Sequence, residues 1–226
     1  MSRRNRYTSP VHAGARFVAQ RLILKPVIRR LATVTVLGEE NLTGVSGAYV
    51  VVSNHSSHLD APLIITSLPR SLARYVAAGA AADYFFDVWW RKGLTALFFN
   101  AFPVERTGRQ GRRGLATSLL DDGVPLLLFP GGTRSRTGEM GSFKPGAAAL
   151  CISRDVPCLP VAIVGASAAM PYGRNWPERG RLPVHVTFGE PIRAEEGEKV
   201  AQFSERIAKE VRSLYDYTTT YRDEHA

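Results

Sequence analysis

At 226 residues, 45% hydrophobic and 22% charged, the chain is long enough for one domain with a substantial core, and its composition excludes a disordered or fibrous polymer. A formal net charge of +9, with only five lysines among 29 basic residues, fits either the codon bias of a GC-rich genome or an anionic partner: a phosphate, a phospholipid surface or a nucleic acid. Two cysteines, Cys151 and Cys158, exclude a disulfide framework or a cysteine zinc site and read as buried thiols suited to a reducing cytosol.

Residues 1–32 are basic, and their apolar stretches are broken by Arg16, Arg21, Lys25, Arg29 and Arg30. They lack the features of a secretory signal, and no run in the chain approaches the roughly 18 apolar residues of a membrane-spanning helix. Phe17, Leu22, Ile23, Val27, Ile28 and Leu31 share one broad helical face with the arginines elsewhere. Such a helix fits an anionic membrane surface and fits equally well against its own domain. Pro26 predicts a kink within it.

Short β-branched runs then alternate with helical spacing. Strands are expected at 33–38, 48–54, 73–79, 102–106, 124–130, 157–165 and 182–189, and helices at 60–68, 110–123, 144–155 and 194–217. Several of the strands are apolar throughout, which predicts burial on both faces. The fold class is therefore α/β: a single-domain, mixed, largely parallel sheet covered by helices, with an N-terminal amphipathic helix. The expected division is an N-terminal segment (1–32), a main domain (33–217) and a C-terminal tail (218–226), with one long irregular stretch at 167–181.

Ligands of open α/β sheets gather at the carboxyl ends of strands. The run VVSNHSSHLD places Asn54, His55, His58 and Asp60 at one such end. An aspartate that accepts the imidazole Nδ1–H leaves Nε2 free as a base, the base–orienter half of a hydrolase triad. No nucleophile stands beside it in sequence, so the substrate would supply the attacking hydroxyl. The other reading is that Asp60 caps the helix at 60–68, with Ser57 and His58 as surface turn residues.

A second strand end, LLLFPGGTRSRTG, empties into Gly131, Gly132, Thr133 and Arg134. Paired glycines let backbone N–H groups approach an anion, and the threonine and arginine add a hydroxyl and a forked cation; the other reading is an ordinary glycine turn with an exposed arginine. No lysine follows as in a nucleotide-binding P-loop. A third end, FPVERTG, delivers Arg106, and VPCLPVAIVG is a proline-bracketed apolar strand. Nucleic acid is disfavoured, because the aromatics are not interleaved with the basic residues and no helix-turn-helix or zinc pattern appears.

These four segments, in this order, resemble the glycerolipid acyltransferase family, the lysophosphatidate acyltransferases. The first motif matches Asn54, His55 and Asp60; the second resembles Phe102 to Arg106. The third matches Phe129, Pro130, Gly132, Thr133, Arg134 and Ser135, with Phe143, Lys144 and Gly146 downstream; the fourth matches Val156, Pro157, Pro160 and Val161. The one departure is Gly131, where the family carries glutamate.

The resemblance implies acyl transfer from acyl-CoA or acyl-carrier protein to a hydroxyl of a phosphorylated glycerol acceptor, with no metal and no cofactor beyond that thioester co-substrate. It casts His55 as base and Asp60 as its stabiliser. Arg106, Gly131, Gly132, Thr133, Arg134 and Lys144 become the grip on phosphate. The basic N-terminal helix and the aromatic stretch that precedes the second motif add a further expectation, peripheral attachment to the cytoplasmic face of the cell membrane through an anionic surface. The aromatic stretch 83–102, with Phe85, Phe86, Trp89, Trp90, Phe98 and Phe99, is expected to line an acyl groove, to dip into the bilayer interface or to pack in the core. Gly131 leaves three consequences open: a weaker enzyme, an engineered substitution, or another acceptor, which would be glycerol 3-phosphate, a lysophospholipid or a glycolipid. A non-catalytic lipid-binding homologue is the remaining alternative.

Overall fold

The structure, a computed structural model, describes residues 6–81, 89–104, 113–174 and 176–225, with the backbone alone at 81, 89–92, 94 and 113. The chain opens with α1 (Pro10–Ala19), a π-helical turn (Gln20–Leu24) and α2 (Lys25–Leu31), then β1 (Thr33–Leu37) and β2 (Val50–Ser53). There follow α3 (Asp60–Ser67), α4 (Arg70–Ala73), β3 (Ala77–Ala81), α5 (Trp89–Phe99), β4 (Phe102–Val104) and α6 (Arg113–Asp121). The remainder is β5 (Leu126–Leu128), α7 (Gly146–Arg154), β6 (Cys158–Val164), α8 (Ala166–Ala169), β7 (Pro183–Phe188) and α9 (Val200–Glu224).

Among the described residues, seven strands form one sheet in the order β1–β7–β6–β2–β5–β3–β4. Every pairing is parallel except that of β6 with β7. This is the expected architecture. Successive side chains of a strand face opposite ways, so a central strand feeds two cores. Val51, Leu127, Leu159 and Ile163 pack on one face with Leu63 and Ile64 of α3. Val50, Val52 and Leu126 pack on the other with Leu119 of α6, Cys151 of α7 and Phe203 and Ile207 of α9. Leu63 and Ile64 are fully buried, and burying each is worth about 1.5–3 kcal/mol. Both cysteines are buried free thiols, and burial, reinforced by Cys151, raises the Cys158 pKa.

Four segments depart from expectation. The first is at the N-terminus, where a π-turn inserts an extra residue and shifts the helical phase. Ile28 therefore enters the core while Leu22, Ile23 and Val27 face outward. Pro26 stands just after the π-turn, and the backbone stays helical through it from Gln20 to Leu31. Arg16, expected with the outward arginines, is 3% exposed and donates to Asn100 Oδ1 at 2.9 Å. Burial lowers its pKa to about 10, with the charge of Arg6 adding to the effect.

The second departure is β3, which starts at Ala77, because Pro69 first launches the short helix α4. The third is at the far end, where α9 begins only at Val200, after Gly197 turns the chain with φ +75°. It then runs to Glu224, so most of the expected tail is helix. The run Thr218–Thr219–Thr220 is a poor helix signal. Tertiary contact overrides it: Thr218 is fully buried and its hydroxyl lies 2.7 Å from that of Thr187. Within 167–181, lastly, the irregular stretch overlaps the short helix α8.

Strands β2 and β5 are adjacent and parallel, so their carboxyl ends open at the same edge of the sheet. The segments that begin at Asn54 and Phe129 meet there.

Candidate active site

Asn54 stands where β2 stops. Its side-chain oxygen accepts the Ile163 N–H at 2.8 Å and its amide donates to the Ile163 carbonyl at 2.8 Å, prolonging the ladder to β6 by one side-chain rung. Only a primary amide of this length serves both groups. Asn54→Leu leaves a buried donor and acceptor unpaired, at about 1–3 kcal/mol each. A denaturant titration is expected to show a loss of about 2–6 kcal/mol; a loss below 1 kcal/mol, on the order of a surface change, would contradict this assignment.

The chain then turns through His55–Leu59 into α3. The carboxylate of Asp60 is fully buried, and its Oδ2 accepts three bonds: from His55 Nδ1 at 2.7 Å, the Ser56 N–H at 2.7 Å and the Ser57 N–H at 2.8 Å. It reaches back into the turn and makes no forward cap on its own helix. An ionised carboxylate only accepts, so the Nδ1 proton is the one shared and Nε2 is left as the basic nitrogen. The His55 side chain is 22% exposed and stacks on Phe129, with centroids 4.1 Å apart and planes at 18°. The Ser135 N–H donates to the His55 carbonyl at 2.8 Å. Contacts from both ends of the 129–135 segment, one a ring stack and one a hydrogen bond, thus fix the histidine's ring plane and its backbone.

Ser57, expected in a surface turn, is fully buried and donates to the Met170 carbonyl at 2.9 Å. Its hydroxyl is committed to holding the next loop. His58 is half-buried; burial lowers its pKa, with Arg134 and then His55 adding to the effect and Asp60 opposing it. His185 is shifted the same way by burial and by Arg222 and His225. A histidine that resists protonation when folded contributes stability in full above about pH 6.5 and loses it as pH falls below that value. Between pH 7.5 and 5.5 the melting temperature is therefore expected to fall, and to fall less in a His58→Gln/His185→Gln double variant. An equal fall in that variant would remove these histidines as the cause.

The glycine turn after β5 is closed by the Gly132 N–H to the Phe129 carbonyl at 3.0 Å and by the Lys144 N–H to the Pro130 carbonyl at 3.0 Å. Gly132 has φ +75°, and a Cβ there would meet Lys144 Nζ at 3.0 Å, so the ammonium lies directly over the turn. Gly131 has no such constraint: a Cβ would find only the Thr133 carbonyl, at 3.8 Å. Thr133 is exposed. Arg134 lies over the ring of Tyr172 at 4.8 Å, and Arg136 over the same ring at 5.4 Å.

The fold thus gathers His55 and Asp60 with the 131–134 turn and Lys144 at one sheet edge. Arg106, Phe85 and Phe86 lie outside the described residues, as do the side chains of Trp89 and Trp90. Phe99 is half-buried against the core, and Phe98 is half-buried. Two side chains escaped the sequence reading. Phe129 was a motif match whose stacking only the pairing of β2 with β5 reveals, and Tyr172 carried no signal beyond an irregular loop. A groove of about 540 Å³ between Thr137–Met140 and Arg212, Tyr215 and Asp216 of α9 lies beside this turn but is not lined by His55.

A family model described as Acyltransferase matches residues 33–164. A 1-acyl-sn-glycerol-3-phosphate acyltransferase of Chlamydomonas reinhardtii is 31% identical over 144 residues, 63% of this chain and 42% of that protein. A probable 1-acyl-sn-glycerol-3-phosphate acyltransferase of Mycoplasma genitalium is 32% identical over 133 residues, 58% of this chain and 49% of that protein. The chain spans about half the length of these curated relatives or less. Among solved structures, the 1-acyl-sn-glycerophosphate (LPA) acyltransferase of Thermotoga maritima superposes with a TM-score of 0.67 at 25% identity, covering 89% of this chain and 82% of that one.

Proposed function

The chain belongs to the acyltransferase family, and from that premise we propose that it transfers a fatty acyl group from a thioester to a hydroxyl of a lysophosphatidate-type acceptor, in phospholipid synthesis. The observation that carries the proposal is the 2.7 Å bond from His55 to a buried Asp60, placed beside the turn that bears Arg134. His55 Nε2 takes the acceptor's hydroxyl proton as its oxygen attacks the thioester carbonyl. The C–O bond forms, the tetrahedral intermediate collapses with cleavage of C–S, and the leaving thiolate recovers the proton from the imidazolium.

Asp60 stabilises that imidazolium while it lasts. Arg134, Lys144, Thr133 and the backbone of Gly131 and Gly132, with Arg106 after β4, hold the acceptor phosphate, turning anion binding into hydroxyl orientation. The donor is acyl-CoA or acyl-carrier protein, and the reaction needs no further cofactor.

No helix among the described residues is long and apolar enough to cross a membrane. The protein attaches peripherally at the cytoplasmic face of the cell membrane. In support, the N-terminal helix turns outward Val11, 78% exposed, and Leu22, 72% exposed, beside Arg29 and Arg30. Mass-resolved assays with both donors and a panel of phosphorylated glycerol acceptors test the reading. Acylated lysophosphatidate is the expected product; thioester hydrolysis with no acylated acceptor would overturn it.

Gly131 keeps a second acceptor in view, because its Cβ direction is open and its backbone unstrained. Gly131→Glu is expected to fold as well as the natural chain. The new carboxylate competes for Lys144 and Arg134, raising KM for phosphorylated acceptors severalfold and altering the order of preference. Unchanged preference and rate would mean that the position plays no part in acceptor choice.

A further inference from the structure

Strand β7 is antiparallel to β6, so the segment that joins them lies at the carboxyl end of β6, the end of the sheet that holds His55. The segment is tied to the site: Met170 accepts the Ser57 hydroxyl at 2.9 Å, and Tyr172 carries the guanidinium of Arg134. It is also tied to itself. The Glu178 N–H donates to the Ala169 carbonyl at 2.8 Å and the Arg174 N–H to the Pro171 carbonyl at 3.1 Å.

On this braced frame Trp176 is 80% exposed. Arg174, Arg179 and Arg181 are exposed around it, with Glu178, 3.7 Å from Arg174, as the acid among them. The Thr33 N–H and hydroxyl donate to the carbonyls of Leu182 and Arg181, each at 3.1 Å. Those bonds set the end of α2, with exposed Arg29 and Arg30, against the same loop. One edge of the molecule thus carries a bare indole, at least five arginines and the mouth of the site.

We propose that the segments 171–174 and 176–182 form a second contact with an anionic lipid surface, with Trp176 entering the headgroup layer and Arg174, Arg179 and Arg181 on lipid phosphates. An exposed indole has a large apolar face and one N–H donor, the combination that favours a membrane interface over either water or hydrocarbon. Arginines close to an anionic leaflet each strengthen binding on the order of fivefold. The N-terminal helix and this loop flank the catalytic edge, so engagement of both turns His55 towards the bilayer and lets a lipid acceptor arrive laterally. This rests on the membrane-surface reading above and adds to it a docking element and an orientation.

The test is flotation of the full chain with phosphatidylcholine vesicles, with and without phosphatidylglycerol, at low salt. Trp176→Ala is expected to weaken partitioning into anionic vesicles about tenfold, and Arg174→Gln/Arg179→Gln/Arg181→Gln by more. Both variants should melt at the wild-type temperature, since all four side chains are exposed. Quenching by brominated lipid is expected for the wild type and diminished in Trp176→Phe.

Partitioning equal to wild type in both variants would overturn the proposal while leaving the helix as membrane contact. Equal partitioning together with loss of turnover only when the donor is acyl-carrier protein would reassign the loop to a protein partner. A wild type that ignores anionic vesicles would overturn the membrane reading as a whole, and turnover of a monodisperse short-chain acceptor would then still report on the chemistry.

Discussion

Replacing His55 with alanine is expected to lower kcat about 10²–10⁴-fold, the usual worth of a positioned general base, and to leave the fold intact. The ring stacks on Phe129, and its Nδ1 is one of three donors to Asp60. The other two, the N–H groups of Ser56 and Ser57, remain when the imidazole goes. The buried carboxylate therefore keeps partners, and the melting temperature should move by only a few degrees. KM for the acceptor should hold, because the phosphate grip lies on other residues. A lipid-binding protein without catalysis would instead bind as before and show no turnover in either form. Full activity in the alanine variant would end the account of His55 as base.

Asp60 gives the second large effect, and the choice of substitution decides what is measured. Alanine would orphan two buried N–H groups as well as the imidazole, at about 1–3 kcal/mol each, so lost activity would be confounded with lost fold. Asparagine is the informative change. Its carbonyl oxygen, placed where Oδ2 stands, still accepts from Ser56 and Ser57. Its NH₂ then takes the position of Oδ1, which is buried and has no hydrogen-bond partner. One unsatisfied group costs about 1–3 kcal/mol, which a folded domain of this size tolerates. The negative charge that offsets the imidazolium is gone, however, so kcat should drop about 10²–10⁴-fold with acceptor KM little changed. An Asp60→Asn enzyme with wild-type kcat would show that the carboxylate serves only the turn.

Much of this was legible in the chain because it depends on local pattern. β2 and β6 read as strands since each position must be apolar to serve two cores, and the Asn54–Asp60 and Gly131–Arg134 segments announced themselves as strand ends rich in polar groups. Asp60 was ambiguous from sequence, as a cap and an orienter share the same place in the chain. The direction of its bonds, backward to His55, Ser56 and Ser57, resolves the local geometry.

What was hidden depends on contacts between distant segments. The stacking of Phe129 on His55 requires β2 and β5 to be neighbours. The length of α9 rests on Thr218 meeting Thr187, against the poor helix propensity of three threonines. The outward turn of Leu22 and Val27 follows from one extra residue in a π-turn, and a strict 3.6-residue period cannot register it.

The central claim is that Asp60 holds the Nδ1 proton of His55, so that Nε2 is the nitrogen presented to the acceptor hydroxyl. Nitrogen-15 NMR of the labelled imidazole at neutral pH reads this directly, with His55→Ala to assign the resonance. The account predicts a protonated Nδ1 coupled to its hydrogen and a bare, pyridine-like Nε2, with that preference weakened in Asp60→Asn. A bare Nδ1 with the proton on Nε2 in the wild type would contradict it.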